Sequence, residues 1–569
     1  MKSSVSKTAF FAFLLSIPWL FIACFADGDD DSGEMNREGG WDKGGDSDVD
    51  SDSDMDADAD DDWSEDEKLD DGAPPEIEEQ AEYKVPQAAG KYVFIVDETR
   101  GSVVVVDSST LQIRQQKVGS RPSQLVTLNN AASEPTVAVI CLGSDEVTIV
   151  RVADDGTMRT HELTVRPDTN ALSASPDGRF LVAYHDPQFT AQSGVPSTDQ
   201  EITVLSVAEG AENSVHLSVG MHPWKVTFDK DETGKTSRAF VVTEEGINII
   251  DLTDLDNIGI PDVAVVYEGG TYDSTTADIE LLPDGSLALA RKTGEKRLVV
   301  IDMSKQPHER REYELYAEPT DLDVAPDGSF GVMVFRTTSE VAFFDLPLPA
   351  PTMEADAGVS DGGVPIHGTR DGITYHQLTD KVVGVATLVP GSRNVLLHTT
   401  TGGKSEDQRR LVYFAKGATE YEAKSVVLER KIHSVAAGVD GKTAVVLHQP
   451  VKETNEQHPF SYSLVEIAGM QVKFQQTPVQ HKQLMLTPDG HYGFLLLEEA
   501  KRTEIINLRT FIVDQLSHGS PPTAAGYAVD TRKVFINQDH SAGRMTFFNI
   551  EDKSVKTVTG FNLNDDIEY

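Results

Sequence analysis

From residue 84 onward, apolar and polar side chains alternate in short runs that end at tight polar turns. The clearest case is 170–186, NALSASPDGRFLVAYHD, where two alternating runs flank Ser-Pro-Asp-Gly. Pro fixes φ for the first half of a turn and Asp-Gly supplies a positive-φ corner, so this stretch predicts a β-hairpin. The same turn returns at Pro283-Asp284-Gly285, Pro326-Asp327-Gly328 and Pro488-Asp489-Gly490. Worn versions stand at Gly90, Asn129-Asn130, Thr233-Gly234, Pro390-Gly391, Asp440-Gly441 and Asp530-Thr531, so that successive turns lie 40 to 63 residues apart. Each turn is followed by a second strand and then by a third apolar run, from SVVVVDS (102–108) and EVTIVRV (146–152) through RLVVIDM (297–303) to TEIINLR (503–509) and MTFFNIE (545–551); there are ten. A less apolar fourth run often follows, such as QIRQQKV (112–118) or SVKTVTG (554–560), and reads as an exposed outer strand.

Four antiparallel strands per 40–60 residues, repeated, predict an all-β fold: a β-propeller of about ten four-stranded blades over residues 84–569. Separate β-sandwiches would need about 100 residues each. No window shows sustained 3.6-residue periodicity with caps. Ten units exceed the usual four to eight blades. A single large ring is the expectation, with two rings as the alternative and the Pro/Ala/Gly/Asp-rich stretch Pro347 to Pro365 as the candidate seam. Because no convincing strand precedes Gly90 and a spare run, Gly560 to Tyr569, ends the chain, closure by strand exchange is expected; the weak run Glu82 to Val85 could fill that place instead.

The phrases VGSRPSQLVTLNN (118–130), VGMHPWKVTFDKD (219–231) and YAEPTDLDVAPDGSF (316–330), each leading to an xVxVxD-like strand, resemble the YVTN-type propeller repeats of bacterial surface and lactonase-like proteins. The resemblance runs from about Gly90 to the C-terminus. It implies the fold far more than a function, because propellers host binding, scaffolding and several chemistries. No lactonase-like catalytic set can be matched residue by residue.

The region before the repeats changes the picture of location. Lys2 and Lys7 precede an apolar run from Thr8 to Ala23, too short for a comfortable membrane span, which reads as a signal peptide over residues 1–23. It ends in Phe21-Ile22-Ala23-Cys24, which resembles the bacterial lipoprotein signal, departing from it at Phe21 where Leu is usual. That resemblance implies lipidation of Cys24 and a membrane anchor, ordinary cleavage after Ala26 to a soluble secreted protein being the alternative; with no Asp directly after Cys24, it implies the outer membrane if the cell is Gram-negative. Residues 24–83 then form an acidic linker. From Asp27 to Tyr83 there are 26 acidic and 3 basic residues, net −23; residues 84–569 carry a further −23, and Lys2 and Lys7 bring the total to −44. Such a segment cannot bury enough apolar surface to offset ordering and is expected to be a disordered tether. Its densest part, 46–62, alternates Asp with small residues, but an EF-hand register starting at Asp46 puts Ser51 and Ala57 where Gly and Glu are needed, so a polyanionic spacer is the reading. Acidity in both parts excludes nucleic acid as a partner class. Cys141, within TVAVICL, has no partner cysteine other than Cys24 and is expected to be a buried, inert thiol.

Local motifs give no enzyme. There is no G-x-S-x-G elbow, no H-E-x-x-H, no paired-cysteine zinc pattern and no phosphate loop; Gly402-Gly403-Lys404 lacks the upstream glycine. Neither a cofactor nor a metal is implied. One non-local constellation emerges on aligning the repeats: seven residues past the turn glycine, at the end of the second strand, stand His185, His398 and His448, with Asp97 and Lys292 in other units. The three histidine units also have the longest connections to the third strand, 187–200, 399–409 and 449–460, which should share one face of the ring. Hydrogen-bonded strand-end histidines are the plain reading of these three; a shared metal is the sharp one. Trp224 reads as core. A binding or scaffold module for a protein or other envelope ligand is therefore the expected function, and a lactonase-like hydrolase with a polar pocket the alternative.

Overall fold

A computed structural model describes residues 84–128, 134–186, 199–268, 272–274, 276–351, 368–417, 421–451 and 458–561. The signal peptide, Cys24 and the acidic tether lie outside them. So do Asn129-Asn130, Glu82 and the C-terminal run from 562.

The described strands form ten antiparallel sheets in one ring. We number the blades in chain order: blade 1 spans 87–117, blade 2 122–164, blade 3 171–218, blade 4 225–264, blade 5 277–314, blade 6 321–377, blade 7 385–427, blade 8 432–477, blade 9 483–517 and blade 10 522–559. Within each, strands one to four run outward from the centre in sequence order. Blade 6 has a fifth strand, because Gly368–Arg370 adds a short hairpin outside Ile373–Gln377. All ten apolar runs are third strands. The turn glycines adopt the left-handed corner the sequence asks for, with φ of +67° at Gly178, +64° at Gly285 and +68° at Gly490.

Side chains alternate across each sheet, so every blade buries one set against its predecessor and one against its successor. The core accordingly divides into ten apolar clusters, one per junction. The tenth settles one ring against two. Val93, Ile95, Val104 and Val106 of blade 1 pack with Phe535, Met545 and Phe547 of blade 10 and with Phe561. Full burial of side chains of this size contributes about 1.5–3 kcal/mol each.

Two expectations are corrected. Among the described residues the ring does not close by exchanging a strand: blade 1 has its own inner strand, Gln87–Ala89, and blade 10 draws all four strands from consecutive sequence. Three residues sufficed, and so short a run carries almost no pattern in the sequence. Closure is completed by Ser108 Oγ to Thr531 Oγ1 at 2.6 Å and by the Gln115 amide donating to the Phe561 carbonyl. Nor is 347–365 a seam. It connects the third and fourth strands of blade 6, while clusters on both flanks of that blade run on unbroken.

Inner strands leave one edge of N–H and C=O groups unpaired towards the channel. Side chains from the preceding blade cover part of it. Gln87 bonds the Leu125 carbonyl and Thr127 amide, Lys225 donates to the Ile279 carbonyl at 2.6 Å, Asp321 accepts from the Ala386 amide at 2.6 Å, and Gln483 accepts from the Ala525 amide at 2.7 Å.

Candidate functional site: the loop side of the ring

Antiparallel order sends every first-to-second-strand turn to one side of the ring. Every second-to-third-strand loop, and every crossover to the next blade, goes to the other. We call these the turn side and the loop side. The aspartates of the repeat motif belong to the turn side and are structural. Asp229 accepts from the amides of Ser237 and Arg238 at 2.6 and 2.9 Å and from the Ser237 hydroxyl at 2.7 Å. The Asp ending each xVxVxD strand caps its own turn, as Asp107 does for Ser109 and Thr110 and Asp302 for Ser304.

On the loop side, third-strand side chains clamp the incoming crossovers. Thr148 accepts from the Gly119 amide, Thr203 from Arg166 and Asn248 from Gly220, at 3.1–3.3 Å. The long loops sit here as expected, though 187–198 and 452–457 lie outside the described residues. The loop 399–409 is built by Gly402 and Gly403, both left-handed (φ +74° and +66°), and by the short 3₁₀ turn Asp407–Arg409.

The five predicted site residues fall on different blades and do not converge. Asp97 (blade 1) is fully buried and accepts from the Arg100 amide at 3.1 Å. His185 (blade 3) is half-buried, with Nδ1 donating to the Asp168 carbonyl at 2.7 Å. Lys292 (blade 5) stands 5.4 Å from the Tyr267 ring centroid. His398 (blade 7) and His448 (blade 8) are 3% and 4% exposed. His448 is held at both nitrogens: Nδ1 donates to the Lys431 carbonyl at 3.3 Å, which leaves Nε2 to accept from the Ser463 hydroxyl at 2.8 Å. Among the described residues no group of three His, Cys, Asp or Glu side chains is disposed to hold a metal ion.

What the fold does assemble is a row of buried imidazoles at the junctions of blades 7, 8 and 9. Burial holds His398, His448 and His481 down to about 4. Like-charge repulsion adds to this, between His433 and His398 and between His481 and both His448 and His433. His433 occupies the bulge between Ile432 and Ser434, a position no sequence pattern marks. Trp224 packs at the edge of the blade 4/5 core, edge-to-face with Tyr272 at 5.7 Å, as expected of a core ring. Cys141 is fully buried, and burial lifts its thiol to about 11, which makes it unreactive.

Sequence reasoning also missed an acidic wall in the channel. Alternate inner-strand positions of blades 5 and 6 carry Asp278, Glu280, Asp321 and Asp323, partly offset by Lys225 on Glu280 and Arg291 on Asp278. Burial pushes Asp321 and Asp323 upward, each carboxylate adding to the repulsion. The signal was present in the D-x-[DE] pattern of ADIEL and DLDV, hidden among inner strands too short to be placed. A cleft of about 200 Å³ lies between blades 1 and 2, lined by Lys91, Asp107 and Arg114 among others; it contains none of the predicted residues.

No family model matches the chain, and no curated protein matches it. Solved structures to which it is similar include dihydro-heme d1 dehydrogenase NirN in complex with DHE (12% identity, 77% of this chain and 78% of that one, TM-score 0.40). Apo AztD from Citrobacter koseri is another (9% identity, 77% and 97%, TM-score 0.37). Hydrazine synthase from Kuenenia stuttgartiensis is a third (12% identity, 59% and 95%, TM-score 0.31). Similarity at this level carries nothing about chemistry.

Proposed function

We propose that this protein is an envelope-anchored binding module: Cys24 carries the lipid, the acidic segment 27–83 is a spacer, and the loop side of the ten-blade ring captures a protein or other envelope ligand. The observation that carries the reading is the contrast in loop length. First-to-second-strand turns on one side are short and cemented by their own aspartates, while the longest second-to-third-strand loops, 187–200, 399–409 and 449–460, leave from the other; a longer connection, 346–367 in blade 6, lies with the turns. A surface assembled from long loops on a rigid scaffold is the usual place for recognition. The resemblance to YVTN-type surface proteins supports the same reading. Two experiments test it. A fatty-acid analogue should label the chain and fail to label Cys24→Ser; label retained in that variant overturns anchoring. Replacing the three loops by short turns should abolish partner capture from envelope extracts, and capture that survives overturns the assignment of the face.

The hydrolase alternative loses its histidines, which are scattered or buried, and would have to run on Asp321 and Asp323, whose raised affinity for protons is of the kind found in catalytic carboxyl pairs. Ester hydrolysis lost in Asp323→Asn with the fold intact would favour it.

A further inference from the structure

Charge on the loop side is not spread evenly around the ring. Each blade contributes to this side its second-to-third-strand loop and the crossover that leaves it, taken with the strand residues at either end. Counted over the described residues, blades 2 to 6 carry 16 acidic and 7 basic side chains there, net −9. Blades 7 to 10 and blade 1, with the entering stretch 84–87, carry 8 acidic and 13 basic, net +5. In a chain of net charge −44 the second group is the exception. Because the blades follow one another around one ring, each sign occupies a continuous half of the face.

The charges that set this contrast include unpaired ones. Lys431, on the crossover out of blade 7, and Lys501, in the blade 9 loop, are exposed, and neither makes an ion pair or side-chain hydrogen bond among the described residues. In the acidic half the same holds for Glu245, in the blade 4 loop, and for Glu314, where the chain leaves blade 5. Turn-side cations differ: Lys91 is held by Asp107, Arg238 by Asp229 and Lys305 by Asp302. A face divided in this way is complementary to itself. A two-fold axis lying in the face, running from between blades 1 and 2 to between blades 6 and 7, lays the basic half of each copy on the acidic half of the other. Blade 9 then meets blade 4, and the crossover out of blade 7 meets the one out of blade 5, which brings Lys501 towards Glu245 and Lys431 towards Glu314. Contacts made about a two-fold axis come in pairs, and opposite potentials steer and orient the encounter. A membrane is a poorer match, since a plane of anionic headgroups would meet the acidic half as well as the basic one.

We propose that the loop side binds a second copy of this chain, face to face, basic half on acidic half. The inference rests on the reading of this side as the capture surface only in naming the captured partner, since self-association is measured on the protein alone.

The test is sedimentation velocity of the full chain. A dimer is expected at about 0.01 M ionic strength, where charges act over about 30 Å, giving way to monomer at about 1 M, where they reach about 3 Å. Two variants reverse the signs. Lys431→Glu with Lys501→Glu makes both halves acidic at the paired positions, and Glu245→Lys with Glu314→Lys makes both basic. Each should self-associate about tenfold or more weakly, because like charges then meet across the interface, with a melting temperature at high salt equal to the parent's. Mixed in equal amounts, the two variants should pair with each other, since each offers the sign the other lacks. A parent chain that stays monomeric at low ionic strength, a dimer indifferent to either reversal, or variants that fail to pair when mixed overturns the proposal. Capture from envelope extracts that is lost on shortening the loops, in a chain monomeric at every ionic strength, overturns this inference alone and supports the wider reading.

Discussion

The two sides of the ring solve opposite problems with the same strands. On the turn side, Asp, Ser and Gly close the first-to-second-strand hairpins, and the bonds often cross to the next blade: Asp177 of blade 3 accepts from the Thr236 amide of blade 4 at 2.9 Å. Its turn aspartates accept backbone amides of their own turns. On the loop side the chain buries neutral imidazoles at the junctions of blades 7 to 9. The difference teaches that stability and recognition are assigned to opposite ends of each blade, so substitutions on the two sides should read out differently.

The largest effect is expected at Gly285. It combines a left-handed φ of +64° with a position where a Cβ would lie 2.3 Å from the Phe240 ring, so Gly285→Ala should cost about 2–4 kcal/mol, from backbone strain and overpacking together. Urea unfolding measures it; a loss under 1 kcal/mol would mean that blade 4 can shift to make room. Asp229→Ala should follow at about 2–3 kcal/mol, because it strands several buried donors in one turn.

Acid separates the sides by pH window. The turn-side Asp177 and Asp229 are held below the ordinary aspartate value of 3.8 by their amide and hydroxyl donors despite burial, so their contribution is present above that value and lost only as pH falls further. The imidazoles run the other way. Folded near 4 and titrating near 6.5 when unfolded, His398, His448 and His481 take up protons first in the unfolded chain, so stability should fall as pH drops from about 6.5 towards 4. A His448→Gln, His481→Gln chain should show a flatter profile in that window alone. An unchanged slope would place those rings in water. The smallest effect is expected at His185, where His185→Ala should leave stability within about 0.5 kcal/mol by the same urea measurement.

The blade repeat was legible because period-2 runs and x-P-D-G turns state their structure locally. Ring closure was not, since Gln87–Ala89 is three residues long and its role comes from blade 10 and Phe561, far away in sequence. The site was legible only in outline. Loop lengths pointed to the side proposed here for capture, yet the aligned strand-end histidines proved to be spread over blades 3, 7 and 8, because equivalent positions in a ring are displaced by rotation rather than brought together.

Site-specific photo-crosslinking of the full chain in cells tests the division most directly, with the photoreactive residue placed at exposed Lys404 or His458 on the loop side and at exposed Glu232 or Asp284 on the turn side. Discrete adducts from the loop-side positions, and none from the turn-side ones, are predicted. Equal adducts from Glu232 and Asp284, or adducts from those two alone, would contradict it.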